Sequence, residues 1–393
     1  MTEPLTFVLA CEVIDNVRLM KPHGMIPYTM HRHHGYNAEV VTYRHGEYRY
    51  LQREVKGLRG RFLRRFLSGK SILPFFLFLA RHAREIDVLM VYNIKKRPIY
   101  YGLAYKLFNP RGFLYAKADT SQTTFGFYVE NAFWPYRVYM RALGRLFLRV
   151  CNAVSVETRE VYQGNTQVPK DKLLLMPCGF DPELPARLGV RRRQFQEKEN
   201  IILHVARMGV PAKNSEQLLD ALAAMDLPAD WKVVFAGAQT EPFKQRCRRF
   251  MEKHPEKAAQ VEFHEHIEDK ALLFDLYSRA KIFCLPSVRE TFGNAMVEAE
   301  YFGNAIVGSE HLPSVRDLVD HGRAGVTFSV ENPDALVETL SALVADPRRL
   351  RRLCEGAQRY ASANLVWSEV VAPLDAKIKS HYGAREALEK VSQ

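Results

Sequence analysis

Two successive sets of six short apolar segments, each separated by helix-length stretches, constrain this chain more than any other feature. The first set comprises residues 6–10, 39–42, 88–92, 113–116, 153–156 and 173–176. The second comprises 201–205, 232–236, 261–263, 282–285, 305–307 and 325–328. Strands that alternate with helices must run parallel, because each return to the starting edge needs a crossover. The pattern predicts an α/β protein of two Rossmann-like, doubly wound domains, 1–182 and 183–366. Residues 181–200 hold Pro182, Pro185, Arg191 to Arg193 and many other charges, with no period, and read as a linker. The amphipathic stretch from Trp367 to the end (367–393) is expected to cross back to the first domain. A length of 393 residues suits two cores better than one. Open parallel sheets take ligands beyond the carboxyl ends of their strands, so the expected site is a cleft between the two domains.

Charge narrows the partners. Lys and Arg number 56 against 44 Asp and Glu, a net charge of +12 with a pI near 9.3. That balance favours an anionic partner: a phosphorylated substrate, a lipid surface or nucleic acid. No nucleic-acid module is evident, and the cations are not interleaved with aromatics as in single-strand readers. The six cysteines lack CxxC spacing and read as buried thiols in a reducing compartment. Residues 1–4 show no leader pattern, and the longest apolar run, 72–80, is too short to span a bilayer. A cytoplasmic protein, peripheral at most on the inner face of the membrane, is the expectation.

The chemistry-bearing pattern lies near residue 290, where the chain reads PSVRETFGNAMVEA. A strand, a turn with Gly293 and a helix from Asn294 offer unpaired amides and the positive end of a helix dipole to an anion. Glu290 and Glu298 do not bind phosphate; carboxylates accept hydrogen bonds from hydroxyls. Phosphate beside hydroxyls implies a nucleotide-sugar ligand. After strand 201–205 come Arg207 and Lys213, cations suited to a diphosphate, although a solvated basic loop gives the same pattern. Gly237, after strand 232–236, permits close backbone approach to a ligand or merely a turn. His264 and His266 lack a third ligand nearby, so no metal site is expected.

In order and spacing, VARMG with Lys213 and Asn214, then FAGA at 235–238, LYSRAKIFCLPS at 276–287, Glu290-x7-Glu298 and GNAIVGS at 303–309 resemble the retaining glycosyltransferases of family four, whose fold is called GT-B. The resemblance runs from residue 201 to about 346. It implies that Arg207 and Lys213 hold the donor diphosphate, that Glu298 accepts from ribose hydroxyls and that Glu290 binds the transferred sugar. It also implies that the backbone of Phe292, Gly293, Asn294 and Ala295 meets sugar and phosphate, and that the backbone near Ile267 meets the base. Two cations and a helix start can stabilise a diphosphate leaving group. The sequence has no Asp-x-Asp pair, in keeping with a reaction that needs no metal and no cofactor beyond the donor. Retention of configuration is what the family implies.

The first half departs from that family. The usual glycine-rich turn after the first strand is replaced by a segment with only Gly24, and Arg18, Lys21 and His23 are candidates for an anionic acceptor. Asp119, after strand 113–116, is the candidate polar group beside the sugar, orienting the acceptor hydroxyl or steadying positive charge; a turn-capping aspartate is the other reading. Lys117 is a lesser candidate. The segment PCGFD at 177–181 matches the family's hinge element, with Cys178 in place of Asn. Residues 56–70 carry Lys56, Arg59, Arg61, Arg64, Arg65 and Lys70, with Leu58, Phe62 and Phe66 at i, i+4 spacing. They predict a basic amphipathic helix against an anionic membrane, or a helix packing inward.

The sequence therefore leads to a glycosyltransferase that moves a sugar from a nucleotide donor to a glycan or lipid-linked acceptor, with a place in bacterial surface polysaccharide synthesis drawn from the family. A nucleotide-sugar epimerase of the same fold and a basic nucleic-acid-binding protein are the rivals. The base, sugar, linkage and acceptor leave no readable trace.

Overall fold

The computed structural model describes residues 3–65, 71–127 and 133–391, with side chains to residue 384. The chain divides into two compact units. One comprises residues 1–178 together with 367–393, the other residues 179–366.

The first unit is a seven-stranded parallel sheet. Its strands are β1 (Thr6–Ala10), β2 (Asn37–Tyr43), β3 (Arg59–Leu63), β4 (Val88–Tyr92), β5 (Phe113–Lys117), β6 (Ala153–Val156) and β7 (Leu173–Leu175), in the order β3-β2-β1-β4-β5-β6-β7. Strands β1 and β4 to β6 are buried nearly throughout, as expected of a sheet covered on both faces. Helices Leu73–His82, Lys96–Phe108 and Trp134–Val150 seal one face with Phe75, Tyr101, Tyr105 and Phe147. Helices Pro22–His34 and Trp367–Val391 seal the other, the latter inserting Trp367, Val371, Leu374 and Ile378. Asp375 on that last helix accepts from the Tyr36 hydroxyl at 2.9 Å.

The second unit is a six-stranded parallel sheet of β8 (Ile201–Val205), β9 (Lys232–Ala236), β10 (Val261–His264), β11 (Ile282–Leu285), β12 (Ala305–Ser309) and β13 (Gly325–Phe328), in the order β10-β9-β8-β11-β12-β13. The order reverses at β8, which places a topological switch point between β8 and β11. In the first unit the same reversal falls between β1 and β4. Where the chain enters the second unit at Phe180 and leaves it at Val366, the two passes are bridged, with Phe180 N–H donating to Leu365 O at 2.6 Å.

All twelve expected strands form, each within two residues of its expected ends. The thirteenth, β3, corrects the expectation of a basic helix over 56–70. Gly60 breaks the helical run, and Arg59 to Leu63 pairs in register with Glu39 to Tyr43 as the sheet edge. Arg61 donates to both Glu39 oxygens at 3.1 Å and its guanidinium lies 5.4 Å from the Phe78 ring centre, while Arg44 lies 4.5 Å from that of Phe62. Cations on an edge strand guard it against pairing with another chain. Phe66 and Lys70 lie outside the described residues.

The 181–200 stretch is more than a linker. It holds the short helix Glu183–Arg187, and Arg193 donates to Asp275 at 2.9 Å. Lys198 donates to Ser278 O and Ala280 O, satisfying the carboxyl end of helix Lys270–Arg279. Burial pulls that ammonium down to about 7. All six thiols are free; Cys11 is half-buried and the others buried. Among the described residues no helix is long and apolar enough to cross a membrane.

Candidate active site

The loops that follow β8 and β11 meet at the switch point of the second unit. The Val288 and Arg289 amides both donate to Ala212 O, at 3.0 and 3.3 Å, so the two loops share a backbone contact. Beneath them His204, fully buried on β8, ties three elements together. Its Nδ1 donates to Cys284 O of β11 at 2.9 Å, and its Nε2 accepts from Ser215 Oγ at 2.8 Å, at the start of helix Ser215–Ala224. The tautomer follows from the carbonyl, which can only accept. Burial holds this imidazole down to about 4.

Lys213 and Glu290 form an ion pair across these loops, with side chains 21% and 10% exposed. Ser287 Oγ donates to the same Glu290 oxygen at 3.1 Å, and Ser309 Oγ holds the Ser287 carbonyl at 2.6 Å. The carboxylate is thus fixed from β11 and β12 and neutralised from the β8 loop. Three residues on, Gly293 adopts φ +96°, and a Cβ there would lie 2.4 Å from Met296 Cε. Helix Asn294–Tyr301 begins at this glycine with no side-chain cap, which leaves its first amides for an anion. Phe292 beside it is buried.

Glu298, on the same helix, lies 3.4 Å from Lys270 Nζ; both are 20% exposed. The buried Tyr277 phenol is pushed well above its ordinary value by burial and then by Glu298. Arg207 is exposed, on the β8 loop. Ile267 is half-buried in the loop between β10 and helix Lys270–Arg279, whose first turn is capped by Asp269. Gly237 has a local reason: at φ +139° it follows β9, and a Cβ would sit 1.9 Å from Ala206 O. Its small size accommodates the neighbouring backbone of its own sheet.

So Arg207, Lys213, Gly237, Ile267, Glu290, Phe292 to Ala295 and Glu298 all lie beyond the carboxyl ends of strands in one sheet. Asp119 belongs to the first unit. There the β5 and β6 ends carry a buried polar group. Lys117 Nζ donates to Glu157 Oε1 at 3.0 Å, with side chains 0% and 1% exposed, and to Met176 O at 3.3 Å. The Cys178 thiol donates to the same Glu157 oxygen at 3.4 Å. Burial raises the Glu157 carboxyl even though Lys117 opposes it. For Lys117 burial acts downward, but the Glu157 carboxylate prevails and the ammonium titrates above its ordinary value. Asp119 takes Tyr92 OH at 3.5 Å, and its amide donates to Asn93 Oδ1 at 3.1 Å. Asp119 Oδ1 and Glu157 Oε2 are buried without a hydrogen-bond partner among the described residues. His23, a candidate contact for an anionic acceptor, stacks on Tyr92 with ring centres 3.5 Å apart, and burial pulls it down to about 3. Arg18 is paired with Asp15 at 3.0 Å.

His204, Lys270 and Glu157 carry no sequence signal of their own, because each acts through a partner 11 to 80 residues away, whereas Ser287 acts on Glu290 only three residues on. His264 closes β10 within 3.6 Å of Glu262, and the described residues contain no cluster of three or more His, Cys, Asp or Glu side chains placed to hold a metal ion.

Residues 190–360 match the family described as Glycosyl transferases group 1. The second unit is similar to the group 1 glycosyl transferases. The chain is 28% identical over 224 residues to the Campylobacter jejuni GalNAc-α-(1→4)-GalNAc-α-(1→3)-diNAcBac-PP-undecaprenol α-1,4-N-acetyl-D-galactosaminyltransferase, covering 56% of this chain and 58% of that one. It is 29% identical over 215 residues to a D-inositol 3-phosphate glycosyltransferase of Xylanimonas cellulosilytica, covering 52% and 50%. The chain therefore spans a little over half the length of these relatives. The fold is similar over 96% of the chain's length to the whole of Anabaena HepE crystallised with UDP, with TM-score 0.70 and 16% identity. That likeness establishes the GT-B fold of two parallel-sheet, Rossmann-like units.

Proposed function

We propose that this protein transfers a sugar from a nucleoside diphosphate donor to a glycan or lipid-linked acceptor, with retention of configuration and with no metal ion required. The observation that carries the reading is the Lys213–Glu290 pair beside the uncapped start of helix Asn294–Tyr301, at the switch point of the second sheet. The diphosphate takes the helix amides and the cations Lys213 and Arg207. Glu290 accepts from hydroxyls of the transferred sugar, Glu298 from those of the ribose, and the backbone near Ile267 meets the base. The anomeric C–O bond breaks with its electron pair passing to the diphosphate, whose growing charge Lys213 and Arg207 stabilise. The acceptor oxygen bonds to the anomeric carbon, and its proton passes to the departing phosphate oxygen. Asp119, in the first unit, orients the acceptor hydroxyl or steadies the positive sugar carbon.

The name of the Campylobacter relative, which includes an undecaprenol carrier, supports a lipid-linked acceptor and, with it, a role in bacterial surface polysaccharide synthesis. The test has two arms. In a thermal-shift panel of nucleotide sugars the cognate donor should stabilise the protein with concentration, by about 2.7 kcal/mol at a hundredfold excess over Kd. Free nucleoside diphosphate should then appear only when acceptor is added. No stabilisation by any nucleotide sugar rejects the donor site; an interconversion of donor sugars without acceptor makes the protein an epimerase.

A further inference from the structure

The helices Leu73–His82, Lys96–Phe108 and Trp134–Val150 that cover one face of the first sheet contain no Asp or Glu. They carry eight Lys and Arg: one on the first, three on the second and four on the third. A helix packed on a sheet normally turns a mixed polar face to water. Here the outer side of Trp134–Val150 presents Arg141, Arg145 and Arg149 at four-residue spacing. Like charges at that spacing repel along the helix. Between and beside them stand large apolar groups in solvent: Phe133 is 76% exposed, Trp134 68%, Val138 52%, Tyr139 48% and Leu146 48%. Leu77 on the first helix is 52% exposed and Leu107 on the second 75%. Lys96 lies 5.1 Å from the Tyr136 ring centre and Tyr100 hydrogen-bonds Tyr139 at 3.2 Å, so the second and third helices present a continuous aromatic and cationic layer.

We propose that the outer face of this three-helix layer docks on an anionic phospholipid surface. The argument is charge complementarity joined to apolar exposure. Lys and Arg are attracted to a negative headgroup layer, while Trp, Tyr and Phe settle at the boundary between headgroups and acyl chains. Nucleic acid would account for the cations and not for Val138, Leu146, Leu77 and Leu107. The edge arginines Arg61 and Arg65 are engaged with Glu39, His45 and Tyr43 of their own unit and lie on another element. The inference stands apart from the transfer reaction, since neither donor nor acceptor enters it.

Tryptophan emission reads it directly. Trp231 and Trp367 are 5% and 4% exposed, so the solvent-sensitive signal is that of Trp134. Full-length protein is titrated with vesicles of equimolar phosphatidylglycerol and phosphatidylcholine, and with phosphatidylcholine alone. The anionic vesicles should shift emission to the blue and carry the protein down on sedimentation, and the neutral ones should do neither. The triple variant Arg141→Glu, Arg145→Glu, Arg149→Glu should lose about 100-fold or more in partitioning. The same three-charge reversal at exposed Arg348, Arg349 and Arg352 of the second unit should leave partitioning near wild type. Phe133→Ser with Trp134→Ser should weaken sedimentation about tenfold. Equal partitioning by the first triple variant and the wild type would sink the proposal. So would an unshifted wild-type emission, a dimer that shields Trp134 without lipid, or tighter binding to duplex oligonucleotide than to vesicles.

Discussion

Lys213, on the loop after β8, donates to the Glu290 carboxylate on the loop after β11, and this ion pair spans the switch point of the second sheet. Two opposite charges held together before a ligand arrives are already oriented, so neither has to be ordered on binding. Lys213→Ala should lower kcat about 10²-fold while donor affinity changes less, since its charge matters most as the leaving group develops. Steady-state kinetics alongside calorimetric donor binding separate the two effects. A turnover within a few-fold of wild type would take Lys213 out of the chemistry.

Glu298 lies 3.4 Å from Lys270 and beside the buried Tyr277 phenol, and the proposed function has its carboxylate accept from a ribose. Glu298→Ala should weaken donor binding about tenfold or more, because hydroxyls buried in the site lose their acceptor. Nucleoside diphosphate binding measured by calorimetry checks this; unchanged affinity would move the ribose elsewhere.

The Lys117–Glu157 pair is buried beyond reach of water. Lys117→Met alone should destabilise the first unit by about 3–5 kcal/mol, because it strands a buried carboxylate. Lys117→Met with Glu157→Met should recover most of that loss. Denaturant unfolding of the two single variants and the double gives the coupling. Additive losses would mean the two groups do not sense each other.

Acid should loosen the second unit through His204. Its folded value lies near 4, below the ordinary 6.5, so the folded state binds fewer protons than the unfolded chain between those values. Stability from this group is complete above about pH 6.5 and declines as pH falls toward 4, by about 3 kcal/mol in all. Midpoints of chemical unfolding at pH 7, 6 and 5 should fall more steeply for the wild type than for His204→Gln. Parallel slopes would refute the assignment.

The strands were legible because buried parallel strands are unbroken runs of Val, Ile, Leu and Phe, a local property that survives in any context. The Glu290 to Glu298 segment was legible because strand, glycine and helix start lie within a dozen residues. Residues 56–70 misled because Leu58, Phe62 and Phe66 happen to keep helical spacing, while the register with β2, which no local pattern encodes, made residues 59–63 a strand. Lys117 could be singled out but its partner could not: Glu157 is 40 residues away, and only the adjacency of β5 and β6 brings the two together. Gly237 was legible as a special backbone position. Its cause, the Ala206 carbonyl, depends on how β8 and β9 end side by side.

Trp367, Val371, Leu374 and Ile378 complete a core whose other walls come from the opening half of the chain. During synthesis those walls emerge long before their last partner. The first unit must wait, one face of its sheet only partly covered, while the ribosome makes all of the second.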